Sequence, residues 1–223
     1  MLIHPWDAPA DDDEWREWLT ARDFGQLAVN GLDGEPPFVQ PVHFAYDPGP
    51  GGHGEALLHL ARPNPLWAAL SASPRVTLSV VDDYVFIPGP WHAAPDAPAE
   101  HGTPTSFYAA VQLLGVAHVL DDPRDKAALL ERQLAHFQPA GGTAPVGSPD
   151  APFGRMLPGI RGVRIEVTSV RAKFKYGGNK PREVQRRVTG LLAARAAPHD
   201  LAARAHQLRR LAAFDANDAG GGA

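Results

Sequence analysis

The sequence predicts a mainly β protein of the α+β class, built as a six-stranded antiparallel barrel with peripheral helices. Six stretches alternate apolar and polar side chains, as a strand with one buried face requires; Val163, Ile165 and Val167, for example, alternate with polar neighbours. The segments between these stretches are mostly turns or short helical patterns, and few could serve as crossovers between parallel strands. Strands of this kind with few crossovers favour an antiparallel barrel.

The elements follow from local patterns along the chain. The predicted strands cover 24–30, 38–46, 55–61, 75–87, 105–120 and 162–176. A helix is predicted after the acidic run that ends at Glu14, where Trp15, Trp18 and Leu19 form an apolar stripe, and another after Asp121. Two more are predicted for 182–196 and 199–213. We therefore expect a barrel domain over 1–178, a helical extension packed on it over 179–214, and a disordered tail over 215–223.

Several classes of chemistry are made improbable by composition. The chain of 223 residues has no cysteine, which excludes disulfides, thiolate catalysis and cysteine metal sites. No His-Glu-x-x-His or His-x-His spacing occurs, so no metal site is predicted, and no motif identifies catalytic residues. The N-terminus lacks the pattern of a signal peptide and no apolar run approaches 18 residues, so a cytoplasmic protein is expected.

Charge is unevenly distributed. Residues 151–223 contain 14 Lys and Arg against 5 Asp and Glu, whereas the whole chain has a net charge of −4. A basic C-terminal third is compatible with an anion or nucleic-acid site, or with attraction to the acidic remainder of the chain. The arginines of 182–210 are dispersed, and the connection at 196–199 lacks the tight glycine turn of a helix-turn-helix motif. A solvated basic helix face is therefore the favoured interpretation.

One stretch, from His59 to Trp67 (His-Leu-Ala-Arg-Pro-Asn-Pro-Leu-Trp), combines the end of an apolar strand with the start of a short helix. Asn64 is a favourable N-cap, and Pro65 suits the first helical position. Arg62 precedes this helix start, where a guanidinium and free backbone N–H groups could hold a phosphate or carboxylate. The same residues also suit an exposed arginine beside a capped helix.

This stretch resembles the corresponding motif of the PaiB family of FMN-binding negative transcriptional regulators. Three other stretches resemble the family in the same order, from about residue 1 to 191: Phe24-Gly-Gln-Leu, Thr103-Pro-Thr with Tyr108-Ala-Ala-Val and Gly115, and Lys173-Phe-Lys with Asn179. The chain departs from the family pattern at Ser106-Phe107, Gly177-Gly178 and Lys180.

The resemblance implies a split β-barrel that binds FMN between two subunits. FMN offers a dianionic phosphate, a polar ribityl chain and a flat ring, so cations, hydrogen-bonding groups and an apolar wall are expected. The residues expected to bind the cofactor are Gln40, Val42, His43, His59, Leu60, Ala61, Arg62, Asn64, Thr105, Ser106, Lys173 and Lys175. For Lys173 and Lys175, charges that protect an exposed strand edge are the alternative.

The resemblance also implies a homodimeric transcriptional regulator, with DNA as a possible partner. The abundance of Ala, Gly, Pro and Arg is typical of a GC-rich bacterial genome. An FMN-dependent oxidoreductase, such as a flavin reductase or a pyridoxamine-phosphate-oxidase-like protein, remains an alternative, because flavin supplies the redox chemistry with few catalytic side chains. A divergent haem-binding relative and a barrel without cofactor are further alternatives.

Overall fold

The computed structural model describes residues 1–50, 52–147 and 152–220, with side chains described as far as residue 212. In this part of the chain the strands are β1 (Phe24–Val29), β2 (Phe38–His43), β3 (Ala45–Asp47), β4 (Glu55–Ala61), β5 (Arg75–Ile87), β6 (Thr105–Leu120) and β7 (Ile160–Lys175). The helices are α1 (Asp12–Thr20), α2 (Leu66–Ala72), α3 (Pro123–Phe137), α4 (Arg182–Arg195) and α5 (Asp200–Gly220). The prediction of a mainly antiparallel β protein with added helices is confirmed.

The strand count differs from the prediction, with seven strands where six were expected. The stretch predicted as one strand over 38–46 is interrupted at Phe44, whose side chain has no exposed surface. Its backbone N–H donates to the carbonyl of Asp23 at 2.8 Å and so leaves the ladder between β1 and β2. The apolar and aromatic run Phe44-Ala45-Tyr46 hid this corner, because a buried residue at a bend is as apolar as one in a strand.

The corner at Phe44 also closes the sheet. Strands lie in the order β2-β1-β5-β6-β7-β4-β3, so the two segments that flank Phe44 lie at opposite ends of that order. On one side of Phe44, β2 pairs with β1 through Phe24 and His43; on the other, β3 pairs with β4 through Ala45 and Leu57. A sheet whose two end strands are joined by a single residue must curl until its edges meet, as in a barrel.

The chain divides into two compact units, which we describe separately. Unit 1 contains 1–10, 81–110 and 172–223, and unit 2 contains 11–80 and 111–171. The boundaries of these units fall within β5, β6 and β7. The domain boundary expected at 178 stays a prediction. The helices of the predicted C-terminal extension thus share a unit with the later part of β5 and the start of β6.

Unit 2 contains β1 to β4 and the helices α1, α2 and α3. The predicted stripe of α1 is buried, with Trp15 and Leu19 at 2% and 0% exposure. Asp11 caps this helix by accepting a hydrogen bond from the Glu14 N–H at 2.9 Å. A further apolar cluster forms around Ala127 of α3 with Val146 and Leu157.

Unit 1 contains α4 and α5 and an aromatic core. Phe107 of β6 packs edge-on against Tyr176, with ring centroids 5.7 Å apart, and both are buried. Helix α5 continues to Gly220 beyond its predicted end at 213, and the last residues of the predicted tail, 221–223, lie outside the described residues. None of the described helices is both long and apolar enough to cross a membrane.

Candidate functional site

Arg62 lies at the end of β4, where unit 2 presents a partly exposed cationic group. Its backbone N–H donates to the Gly159 carbonyl and its side-chain Nε to the Pro158 carbonyl, both at 2.8 Å. Its terminal nitrogen forms an ion pair with Asp121 at 3.0 Å, and 47% of its side chain remains exposed. Arg62 is therefore fixed in position yet accessible to a ligand.

A second arginine shares the same carboxylate. Arg161 of β7 binds Asp121 through two of its nitrogens, with the closer contact at 2.6 Å. These hydrogen bonds from Arg161 hold the pKa of the Asp121 carboxyl below its usual value, and Arg62 contributes. Arg161 also lies over the ring of Trp67, 4.8 Å from its centroid. We call Arg62, Arg161 and Asp121 the Arg62 cluster; it carries two positive charges against one negative charge.

Asn64 connects the start of α2 to β2. Its Oδ1 accepts a hydrogen bond from the Leu66 N–H at 3.0 Å, and its Nδ2 donates to Gln40 Oε1 at 3.3 Å. The helix itself starts at Leu66 and has only seven residues. Because Asn64 already satisfies one of the free N–H groups, the attraction for an anion here comes from the two guanidinium groups rather than from the helix end.

The other residues of unit 2 that were predicted to bind the cofactor lie along β2 and β4. Val42 is a core residue with 3% exposure, so only its backbone could face a ligand. His43 is exposed and packs edge-on against Phe24 and Phe137, with ring centroids 5.1 and 5.8 Å away. These contacts fix the His43 ring at the surface of the unit.

His59 is likewise engaged with neighbouring elements. Its Nδ1 lies 2.7 Å from Oε1 of Gln133, a buried residue of α3 whose amide donates to the Leu57 carbonyl. Leu60 and Ala61 lie opposite Arg161 and Ile160 in the ladder between β4 and β7. His59 therefore joins α3 to β4, and the ladder places Leu60 beside the Arg62 cluster.

Unit 1 contains a separate recess of about 370 Å³ lined by basic, hydroxyl and aromatic side chains. We call it the basic pocket, and its principal residues are Trp6, Thr105, Phe107, Lys173, Lys175 and Lys180. Three ammonium groups and a hydroxyl can donate hydrogen bonds to an anionic ligand, and aromatic side chains nearby suit a ligand that also carries a ring.

The two lysines that were predicted to bind the cofactor make different contacts in this pocket. Lys173 is buried; its Nζ donates to the Leu2 carbonyl at 2.9 Å and lies 3.5 Å from the Asp7 carboxylate. Lys175 is less buried and donates to Thr105 Oγ1 at 3.0 Å. Both ammonium groups lie within 6 Å of the Tyr108 ring centroid, which places them on one face of β7. Lys173 thus holds the N-terminal segment, and Lys175 is the more available cation.

Two features of the basic pocket were not anticipated. His92 is buried in its lining with Nδ1 3.2 Å from the Thr103 carbonyl, and burial lowers its pKa. The N-terminal segment packs so closely on Gly178 that a Cβ there would lie 2.5 Å from the Trp6 carbonyl oxygen. The glycine pair at 177 and 178 was visible in the sequence and signals this close approach, although its partner was not.

The predicted site residues therefore form two groups in different units. In unit 2 the structure joins Gln40 to Asn64, and it places Arg62 with Arg161, a residue that sequence reasoning missed. In unit 1 it joins Thr105 to Lys175, with Ser106 next along β6. Arg161 follows an unremarkable turn in the sequence, and only the register of β4 and β7 reveals its position.

Comparisons with known proteins identify a family and a shared fold. A family model described as "Putative FMN-binding domain" matches residues 1–169. Similar solved structures include the flavocytochrome Anf3 from Azotobacter vinelandii, with 19% identity over 77% of this chain and 71% of that one and a TM-score of 0.56. The FAD and haem binding protein from Mycobacterium smegmatis has 14% identity over 76% and 73%, with a TM-score of 0.54. The conserved hypothetical protein Rv2991 from Mycobacterium tuberculosis has 18% identity over 82% and 95%, with a TM-score of 0.55. No curated protein matches the chain. At these identities the structures show the shared fold.

Proposed function

We propose that this chain, which belongs to the family of FMN-binding domains, is a flavoprotein that holds the FMN phosphate at the Arg62 cluster. The observation that carries the proposal is the pairing of two arginines with one carboxylate. Arg62 and Arg161 together exceed the charge of Asp121, so the cluster retains a net positive charge for an anion.

The donor set fits the group. A guanidinium presents parallel N–H donors that match phosphate oxygens, and charge-assisted hydrogen bonds are about twice as strong as neutral ones. The amides of Gln40 and Asn64, already hydrogen-bonded to each other, add neutral donors and acceptors in the same unit. When bound, FMN would supply the redox-active ring, while the residues of this chain bind and orient it.

Within unit 1 the basic pocket is the alternative position for the cofactor. Lys175 and Thr105 offer donors suited to a phosphate, a ring carbonyl or a ribityl hydroxyl, and the exposed ring of Trp6 offers aromatic surface. Lys173, which is tied to the N-terminal segment, is assigned a positioning role in this pocket. These assignments are tested separately from that of Arg62.

The central test compares FMN with riboflavin, which lacks the phosphate. For Arg62→Ala we expect a tenfold to hundredfold loss of FMN affinity, the equivalent of roughly 1.5–3 kcal/mol for a charge-assisted contact. Riboflavin affinity should hardly change, because its binding does not involve the phosphate. Fluorescence quenching titrations measure both affinities.

Arg132→Ala is the matched control. Arg132 has similar exposure in the same unit but binds two carboxylates, Asp47 at 2.6 Å and Glu55 at 2.7 Å, and so has no surplus positive charge. Its loss should leave the preference for FMN over riboflavin intact. If instead Lys175→Ala abolishes that preference and Arg62→Ala does not, the phosphate lies in the basic pocket and the assignment to Arg62 is wrong.

A homodimer is the assembly that we propose. In unit 1, Val81, Tyr84 and Phe86 of β5 are exposed at 63%, 54% and 51%. Three large apolar side chains on one strand favour coverage by another protein surface, and a twofold partner is the commonest solution.

PaiB-type transcriptional regulation is the finer role that we propose, and it is supported by the order of the sequence motifs described above. The basic helix α4 is only partly available to DNA, because Arg187 donates to the Trp91 carbonyl and Arg195 binds Asp200. Retarded migration of promoter DNA by the purified protein would support the role. Flavin-dependent oxidation of NADH or NADPH without DNA binding would instead favour the oxidoreductase alternative.

A further inference from the structure

Strand β5 contains an irregularity at two consecutive aspartates. Buried positions alternate through Val76, Leu78 and Val80, and the alternation resumes one residue out of phase at Asp83 and Val85. This shift is the signature of a β-bulge, which bends a strand and redirects a side chain.

The backbone at Asp83 explains the change of phase. Its φ of 53° lies in the left-handed region, which is uncommon for residues other than glycine, asparagine and aspartate. Neighbouring residues of a regular strand point to opposite faces, but the bulge allows the Asp82 and Asp83 carboxylates to approach each other.

An imidazole from the connection between α4 and α5 approaches the same point. His199 also has a positive φ, 66°, and its Nδ1 lies 3.6 Å from Asp82 Oδ1. Each of three residues, Asp82, Asp83 and His199, offers one ligand atom, and these three atoms lie within 4.8 Å of one another. A divalent cation bound between two carboxylates held this close would offset their mutual repulsion.

A second histidine orients the buried carboxylate. His206 Nε2 lies 2.9 Å from Asp83 Oδ2, and its ring is stacked on Tyr176 with centroids 4.4 Å apart. Metal-binding carboxylates are commonly held by outer hydrogen bonds of this kind, which fix the direction of the remaining lone pairs.

We propose that Asp82, Asp83 and His199 bind a divalent transition metal, with Zn²⁺ as the best match. One imidazole and two carboxylates give the nitrogen and oxygen ligands that Zn²⁺ accepts, and a fourth position would remain for water. This site lies within unit 1 and is independent of the proposed binding of FMN.

Zinc binding requires the three ligand atoms to approach one another. Tetrahedral ligands about 2.0–2.2 Å from Zn²⁺ lie roughly 3.3 Å from one another. The Asp82 and His199 side chains are 37% and 52% exposed and can rotate towards the metal, whereas buried Asp83 stays in place. The site would therefore form by closure of two surface side chains onto one fixed carboxylate.

The test uses the full chain without an affinity tag, treated with EDTA and dialysed before titration with Zn²⁺ in a calorimeter. We expect one Zn²⁺ per chain, and at least a tenfold weaker affinity for both Asp82→Asn and His199→Asn. Asparagine tolerates positive φ, so His199→Asn removes the imidazole without straining the backbone. Titration with Co²⁺ should give the visible absorption of a tetrahedral site in the wild type.

The matched control is His118→Asn, which alters an exposed histidine of unit 2 that pairs with Glu166 at 3.1 Å. This variant should bind Zn²⁺ like the wild type, and Zn²⁺ should raise the melting temperature of both but not of His199→Asn. No Zn²⁺ uptake by the wild type, or equal affinity in His199→Asn, would overturn the proposal and leave His199 and Asp82 as a surface ion pair.

Discussion

At the scale of single residues, Asp200 is an acidic group buried at the start of α5. Arg195 donates two hydrogen bonds to its carboxylate, at 2.8 and 2.6 Å, and the Ala197 N–H donates a third at 2.9 Å. These contacts, chiefly the hydrogen bond from Arg195, lower the pKa of Asp200 below its ordinary value of 3.8. The ionised form therefore stabilises the connection between α4 and α5.

Asp200→Asn should lower the free energy of unfolding at pH 7 by roughly 1.5–3 kcal/mol, the typical value for hydrogen bonds to a charged group. Because the folded-state pKa is depressed, this contribution is complete above 3.8 and is lost as the pH falls through the lower folded value. Urea denaturation at several pH values should show the two proteins converging in acid. Asp13→Asn, at a side chain that is 87% exposed, should have little effect at any pH.

Replacing either of two glycines of unit 1 with alanine should change the stability of the protein, in opposite directions. Gly177 has φ 75°, and a Cβ there would lie 3.0 Å from Phe107 Cζ, so Gly177→Ala should destabilise the protein by roughly 1–2 kcal/mol. Gly190 lies in α4, and a Cβ there would meet no atom within 4 Å, so Gly190→Ala should stabilise the protein by roughly 0.5–1 kcal/mol. Thermal denaturation measures both. Equal shifts of the melting temperature in the two variants would contradict the positive φ of Gly177.

At the scale of elements, most strands and helices could be predicted because their patterns are long. Strands β5 and β6 begin and end where the alternation predicts, at Arg75–Ile87 and Thr105–Leu120. The corner at Phe44 and the bulge at Asp83 could not be predicted. Each interrupts, at a single residue, a strand pattern that is present on both sides of it.

The candidate site shows the same limit across elements. The sequence identified Arg62 and the short helix after it, but Asp121 is 59 residues further along the chain. Its effect on the charge of Arg62 depends on the register that places β4 beside β7. Local sequence can predict which side chains suit an anion, and only tertiary pairing determines how much of their charge is already compensated.

At the scale of the whole molecule, the exposed apolar residues of β5 should determine the assembly state. We expect light scattering at micromolar concentration to give the mass of two chains. Phe86→Lys and Tyr84→Lys together should shift the protein to monomers, because each ammonium would lose its hydration in the interface. Leu201→Lys, at a side chain that is 64% exposed on α5, is the control and should leave the dimer intact. A wild-type monomer would contradict the proposed dimer.

The pairing of β4 with β7 also affects how the protein is made. Residues Glu55 to Ala61 find their partners at Glu166 to Ile160, about 100 residues later in the chain. On the ribosome, β4 therefore emerges long before β7 and has an unpaired edge next to the apolar side chains of Ala56, Leu57 and Leu58. Nascent chains that stall before Ile160 should consequently depend on chaperones and aggregate without them, whereas completed chains can close the sheet.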